Sequence, residues 1–167
     1  MNLYLLRHGV AEERGAPGYD DDRQRPLTSK GERKLWRITE AMRELELSFD
    51  VILSSPLVRA RQTAEIAAEA LDAQKKLRLC DHLTPDGDAR ELIKTLKALN
   101  GAVENVLLVG HEPFLSELIA LLVTGSKGSA VALKKGGLCK LTVHELQSGR
   151  CASLDWLLTP RQMELMG

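Results

Sequence analysis

The sequence predicts an α/β fold, a three-layer sandwich in which a mostly parallel central sheet is flanked by helices. Three observations carry this expectation. Short apolar runs at residues 2–6, 49–54 and 105–109 alternate with segments of helical periodicity through most of the chain. Those runs are continuous rather than alternating, as strands buried on both faces are. Leu138 to Leu146 does alternate, and Gln147-Ser148-Gly149 then turns into a further run from Cys151 to Leu158, so antiparallel strands are expected at the C-terminal edge.

The first strand stops abruptly at Arg7-His8-Gly9, which delivers a guanidinium and an imidazole where a buried strand emerges. Val10 to Pro26 reads as a polar surface loop whose acidic cluster Asp20-Asp21-Asp22 is followed by Arg23 and Arg25, one of which could reach a bound partner. A helix then opens near Thr28-Ser29, where either hydroxyl can cap it and Ser29 with Glu32 has capping-box spacing. It is expected to run to about Leu47 on an apolar stripe of Leu35, Ile38, Met42 and Leu45, with Trp36 packing on its flank. After the second strand, Ser55 is expected to cap a helix with Pro56 in its first position and Arg59 in its first turn, reaching about Leu71. A cation there opposes the helix dipole, and an anion between Arg59 and the free amides would relieve the conflict. Arg61 points elsewhere and reads as a surface ion pair.

Leu77 to Leu79 forms a short strand, Asp81 to Asp88 a loop rich in ionisable groups, and Asp88 the cap of a helix that Asn100-Gly101 ends. The run at 105–109 repeats the pattern of the first strand, closing on Gly110-His111. A helix from Pro113 to about Val123, a loop at Gly125 to Gly128, the C-terminal strands and a short amphipathic tail after Thr159-Pro160 complete the chain, read as one domain over residues 1–167.

Lys and Arg together number 23 and so do Asp and Glu, so no overall field favours nucleic acid or an anionic membrane, and any anion site must be local. No apolar run approaches the ~20 residues needed to span a bilayer, and the start lacks signal-peptide character, so a cytoplasmic location is expected. Cys80, Cys139 and Cys151 have no metal-ligand spacing and read as reduced structural thiols; neither a metal nor another cofactor is expected.

In a parallel sheet ligands bind outside the C-terminal strand ends, and Arg7, His8, Arg59 and His111 all fall there, with Gly9 and Gly110 allowing close approach. Two guanidinium forks and two imidazoles suit a tetrahedral oxyanion. The motifs Leu6-Arg7-His8-Gly9, Leu27-Thr28-x-x-Gly31, Ser55-Pro56-x-x-Arg59-Ala60-x-Gln62-Thr63 and Val109-Gly110-His111 together resemble the histidine phosphatase superfamily, the phosphoglycerate mutase-like group. The short length, Leu83-Thr84-Pro85-x-Gly87-Asp88 and the ending Leu158-Thr159-Pro160-Arg161-Gln162 are similar to its compact SixA-type phosphohistidine phosphatases.

The resemblance implies a phosphohistidine intermediate on His8, with Arg7, Arg59 and His111 as the other catalytic residues and Arg7, His8, Gly9, Arg59 and His111 holding phosphate. Many members carry a glutamate acid after the third strand, where this chain has His82 beside Asp81. An alkoxide leaving group benefits from such a donor, whereas an imidazole protonated on its other nitrogen leaves without one. The expected substrate is therefore a phosphorylated histidine-containing protein, a phosphotransfer domain or carrier. His82, Asp81 and Asp86 remain candidate donors, with a plain loop role preferred. The alternatives are a broad-specificity small-molecule phosphomonoesterase and a phosphate-binding module without catalysis. Because little chain is left over for a lid, a shallow, uncovered pocket is expected.

Overall fold

The computed structural model describes residues 1–99, 103–126, 128 and 131–167. Six strands, β1 (Asn2–Arg7), β2 (Val51–Ser54), β3 (Leu77–Leu79), β4 (Asn105–Gly110), β5 (Leu138–Val143) and β6 (Ala152–Leu158), form one sheet in the order β3-β2-β4-β1-β5-β6. The first four are parallel, and β5 and β6 run antiparallel at one edge, as the change from continuous to alternating apolar pattern predicts.

Each central strand serves two cores because successive side chains point to opposite faces. Leu3, Leu5, Val51, Leu53, Val106 and Leu108 pack against α3 (Ala89–Lys97) and α4 (Phe114–Thr124), which contribute Leu92, Leu96, Leu115 and Leu118. Tyr4, Leu6, Ile52, Leu107 and Val109 face α1 (Ser29–Glu44) and α2 (Val58–Ala70), which contribute Leu35, Ile38, Met42 and the alanines 60, 64, 67 and 68. Burying each leucine-sized side chain is worth about 1.5–3 kcal/mol, so both layers are held independently. The tail forms α5 (Pro160–Met163) with a Thr159–Gln162 capping box and drops Met163 into the second core. Among the described residues no helix is long and apolar enough to cross a membrane.

Local chemistry corrects several boundaries. Thr28, not Ser29, caps α1: its Oγ accepts from the Gly31 amide, so no Ser29–Glu32 box forms. That fixes Gly31 as well, since a Cβ there would lie 2.0 Å from the Val10 carbonyl oxygen. α1 stops at Glu44 because the chain reverses at Glu46, whose φ is +53°. Trp36 is 40 % exposed: Leu35, Ile38 and Met42 fill the core face, leaving position 36 in the groove between α1 and α2. Ser55 and Pro56 precede α2, which starts at Val58 with no side-chain cap. α4 starts at Phe114 rather than Pro113, and β5 ends at Val143. Asp88 caps α3 as expected, accepting from the amides of Arg90 and Glu91; the predicted stop at Asn100-Gly101 lies outside the described residues.

Residues 11–27 leave the sheet end as a loop with a clamped base. Ala11 and Leu27 pair in an isolated antiparallel bridge, and Gln62 Oε1 on α2 accepts the Leu27 amide at 2.8 Å. The loop tip carries Gly15 and Gly18 at φ of +80° and +89°, with open space around both.

Candidate active site

β1 and β4 are neighbours in register, Arg7 opposite Gly110, so the residues that follow them emerge together. The His8 amide donates to the Gly110 carbonyl, and the rings of His8 and His111 lie 4.9 Å apart. β2 flanks β4 on the other side and brings Ser55 within 2.9 Å of His111 Nε2. The first turn of α2 adds Arg59. The sheet order thus gathers residues that lie more than a hundred positions apart in sequence, all of them at the C-terminal strand ends.

Each side chain is held from its own surroundings. His8 Nδ1 sits 2.7 Å from the Gly9 carbonyl oxygen; a carbonyl only accepts, so Nδ1 carries the proton and Nε2 keeps its lone pair. Arg7 donates through Nη1 to the Leu133 carbonyl. Arg59 is buried, and both terminal nitrogens go to one residue: Nη1 to the Asp22 carbonyl at 2.8 Å, Nη2 to Asp22 Oδ2 at 3.0 Å. Ser55 Oγ accepts the Leu57 amide and has its own proton to give to His111 Nε2, which leaves the buried, unpartnered His111 Nδ1 as a free donor. The Nε atoms of Arg7 and Arg59 are also buried without partners. Gly9 donates to Thr63 Oγ1, and a Cβ on Gly9 would fall 2.6 Å from Leu35 Cδ1.

Arg7, His8, Arg59 and His111 line a cleft of about 380 Å³, whereas Gly9, expected to hold phosphate, does not line it and gives its amide to Thr63. Three further residues in or beside the cleft, Asp22, Lys135 and Glu112, escaped the sequence reading, and a fourth, Arg25, is one of the two loop arginines of which one is expected to reach a bound partner. Asp22, which reads as one of a solvated acidic run, bridges Arg59 to Arg25, whose Nε and Nη2 lie 3.0 and 2.9 Å from Asp22 Oδ1. Arg25 is 8 % exposed and lines the cleft, as do Lys135 and Glu112. Asp22 and Arg25 carry a faint signal, the acid-to-base reversal in the loop; Lys135 and Glu112 carry none. From the loop after β3 the cleft takes Pro85; Asp81, His82 and Asp86 do not line it. Arg61 pairs with Glu65 on the surface, as expected. The site is recessed, not the shallow pocket expected from the sequence: His8, Arg59 and His111 are 5, 2 and 1 % exposed, and residues 11–14 and Arg25 form part of the wall of the same cleft.

Burial and neighbouring cations set the charge of the site. Burial, then the charges of His111, Arg59 and Arg7, push His8 down to about 2; burial with Arg59 and Arg7 takes His111 down to about 3. Burial and the three arginines also lower Lys135. Burial works upward on Asp22, but its bonds to Arg25 and Arg59 outweigh this and hold it below the usual carboxylate value. Both imidazoles are therefore neutral in the folded protein, while in the unfolded chain they take up protons below their ordinary value of 6.5. The unfolded state then binds more protons, so their contribution is full above pH 6.5 and is lost as the pH falls from there toward 3. Denaturant midpoints are expected to fall across that window and to fall less in a His8→Asn, His111→Asn double variant. An equally steep fall in the double variant would remove the two histidines as its source.

The family model of the histidine phosphatase superfamily (branch 1) matches residues 3–84. The chain belongs to this superfamily and is a phosphatase. Among its relatives, the phosphohistidine phosphatase SixA of Escherichia coli K12 is 26% identical over 166 residues, covering 99% of this chain and 98% of that one. The SixA homolog of Haemophilus influenzae Rd is 32% identical over 130 residues, 73% of this chain and 77% of its own. The structure of the protein histidine phosphatase SixA complexed with tungstate superposes with a TM-score of 0.84 at 27% identity, over 98% of this chain and 99% of that one.

Proposed function

We propose that this protein hydrolyses phosphohistidine on a protein, through a covalent phosphohistidine on its own His8 and without a metal. One observation carries the mechanism: His8 is neutral, recessed, and fixed by the Gly9 carbonyl in the tautomer whose Nε2 can attack. Phosphoryl transfer needs positioning and compensation of charge on the equatorial oxygens, and Arg7, Arg59 and His111 Nδ1–H offer donors for both. Among the described residues no three His, Cys, Asp or Glu side chains are grouped so as to hold a metal ion. Water then attacks phospho-His8. Its Nδ1–H, still on the Gly9 carbonyl, lets the imidazole leave neutral.

Two findings support a nitrogen-linked substrate. The loop after β3 gives the cleft Pro85, which has no proton for an alkoxide, and a SixA sequence and a SixA structure each match almost the whole chain. The depth of the recess also favours a second reading, a small-molecule phosphomonoesterase, because a small phosphate would sit inside the wall that residues 11–14 help to form.

A substrate panel tests the choice. Phosphohistidine protein is expected to be turned over with kcat/KM about a hundredfold or more above sugar phosphates, the margin that matched leaving-group chemistry provides. A sugar phosphate outperforming it would establish the second reading instead.

A further inference from the structure

We propose that Glu112 makes the site selective for nitrogen leaving groups by accepting the ring N–H of the substrate phosphohistidine; this rests on the phosphohistidine reading above. The charged side chains Arg7, Arg25, Arg59 and Lys135 are donors suited to phosphoryl oxygens. Glu112 follows His111 directly and lines the same cleft, and its carboxylate is an acceptor that a phosphoryl dianion cannot use. One oxygen is fixed: Ser116 Oγ, in the first turn of α4, donates to Oε2 at 2.6 Å. The other, Oε1, is buried and has no partner. Glu12 and Glu13 also line the cleft, but among the described residues Glu112 is the carboxylate left with a buried unpartnered oxygen. A buried acceptor held in one orientation, on a residue lining a cleft shared with several cations, is matched by a donor that arrives with the substrate.

The substrate brings such a donor. In phosphohistidine one ring nitrogen bears phosphorus and the other can bear a proton. As His8 Nε2 forms its bond to phosphorus, the bond from phosphorus to the substrate nitrogen breaks and its electron pair returns to that ring. With the proton on the far nitrogen the ring leaves as neutral imidazole; without it an imidazolate must leave. A carboxylate accepting from that N–H keeps the proton there throughout. The proton is never transferred, so Glu112 need not be protonated at any step.

A purely structural role for Glu112 would leave a different kinetic signature. Its charge acts on Arg7, raising that guanidinium against the lowering effect of burial, so a variant could lose activity merely through Arg7. Loss through Arg7 falls on every phosphoryl donor alike; loss of an imidazole acceptor falls on imidazole leaving groups alone.

The experiment compares wild type with Glu112→Gln on phosphohistidine protein and on p-nitrophenyl phosphate, whose nitrophenolate leaves without a proton. Glu112→Gln is expected to lower kcat/KM about tenfold on the first and no more than about threefold on the second. The variant's rate on phosphohistidine should also decline at lower pH than that of wild type, since the ring proton is no longer held. Equal losses on both substrates, or no loss on either, would overturn the proposal. The wild-type preference between the two substrates is a separate reading: if wild type favours the ester, the proposed function fails, whereas a wild type that favours phosphohistidine with equal losses in the variant removes only the role of Glu112.

Discussion

His8→Ala is expected to lower phosphatase turnover by about 10³-fold or more, the scale on which loss of a covalent nucleophile is felt. It should also leave no radiolabelled phosphate on the enzyme after a quenched reaction. The fold should survive. His8 lies beyond the last residue of β1, its ring bonds one carbonyl, and it stands among cations that disfavour its own protonation, so the sheet does not depend on it. Circular dichroism and a thermal midpoint within a few degrees of wild type would check this. Near-normal turnover in a folded His8→Ala protein would remove the covalent mechanism.

Arg59→Ala is expected to lower kcat about a hundredfold or more, as loss of one donor to developing charge does elsewhere, while Arg61→Ala has little effect. The two residues are two positions apart on α2, yet one is 2 % exposed in the cleft and the other pairs with Glu65 in solvent. Arg59 does more than donate: it is one of two arginines that hold Asp22, and Asp22 in turn anchors Arg25, a second cleft cation. Asp22→Asn should therefore weaken turnover less than Arg59→Ala but more than Arg61→Ala, and kinetics on the three variants read out the order. Equal effects of Arg59→Ala and Arg61→Ala would show that Arg59 has no special place at the phosphoryl group.

The parts of this site that could be read from sequence are those that secondary structure places. Arg7, His8 and His111 end continuous apolar runs, and a parallel sheet has one end where such residues converge. Arg59 could be placed because a helix that opens soon after a strand end carries it in its first turn, although α2 starts at Val58 rather than at Pro56. What could not be read depends on the path of irregular chain. Asp22 and Arg25 reach the cleft because the loop folds back over α2, Lys135 because residues after α4 return to the Arg7 side, and Glu112 because Ser116 turns its carboxylate inward. No periodicity encodes such contacts. The same limit explains Ser55: a serine before proline reads as a cap, and only the neighbouring strand shows that it serves His111. Trp36 fails for a different reason, since an amphipathic stripe states which face is buried but not where it ends.

The clamped base of the 11–27 loop has a consequence for how specificity can change. Ala11 and Leu27 are tied to each other and Leu27 is tied to Gln62, so the entropy of closing this excursion is largely settled at its root. Chain added at the tip, where Gly15 and Gly18 stand in open space, costs only about 0.6 kcal/mol for each doubling of length. The tip can therefore lengthen, shorten or change sequence without disturbing the strand ends, whereas Asp22 on the returning limb stays tied to Arg59 and Arg25. The stretch between Gly15 and Gly18 is thus a separable unit of divergence, while the returning limb that carries Asp22 and Arg25 stays with the chemical step.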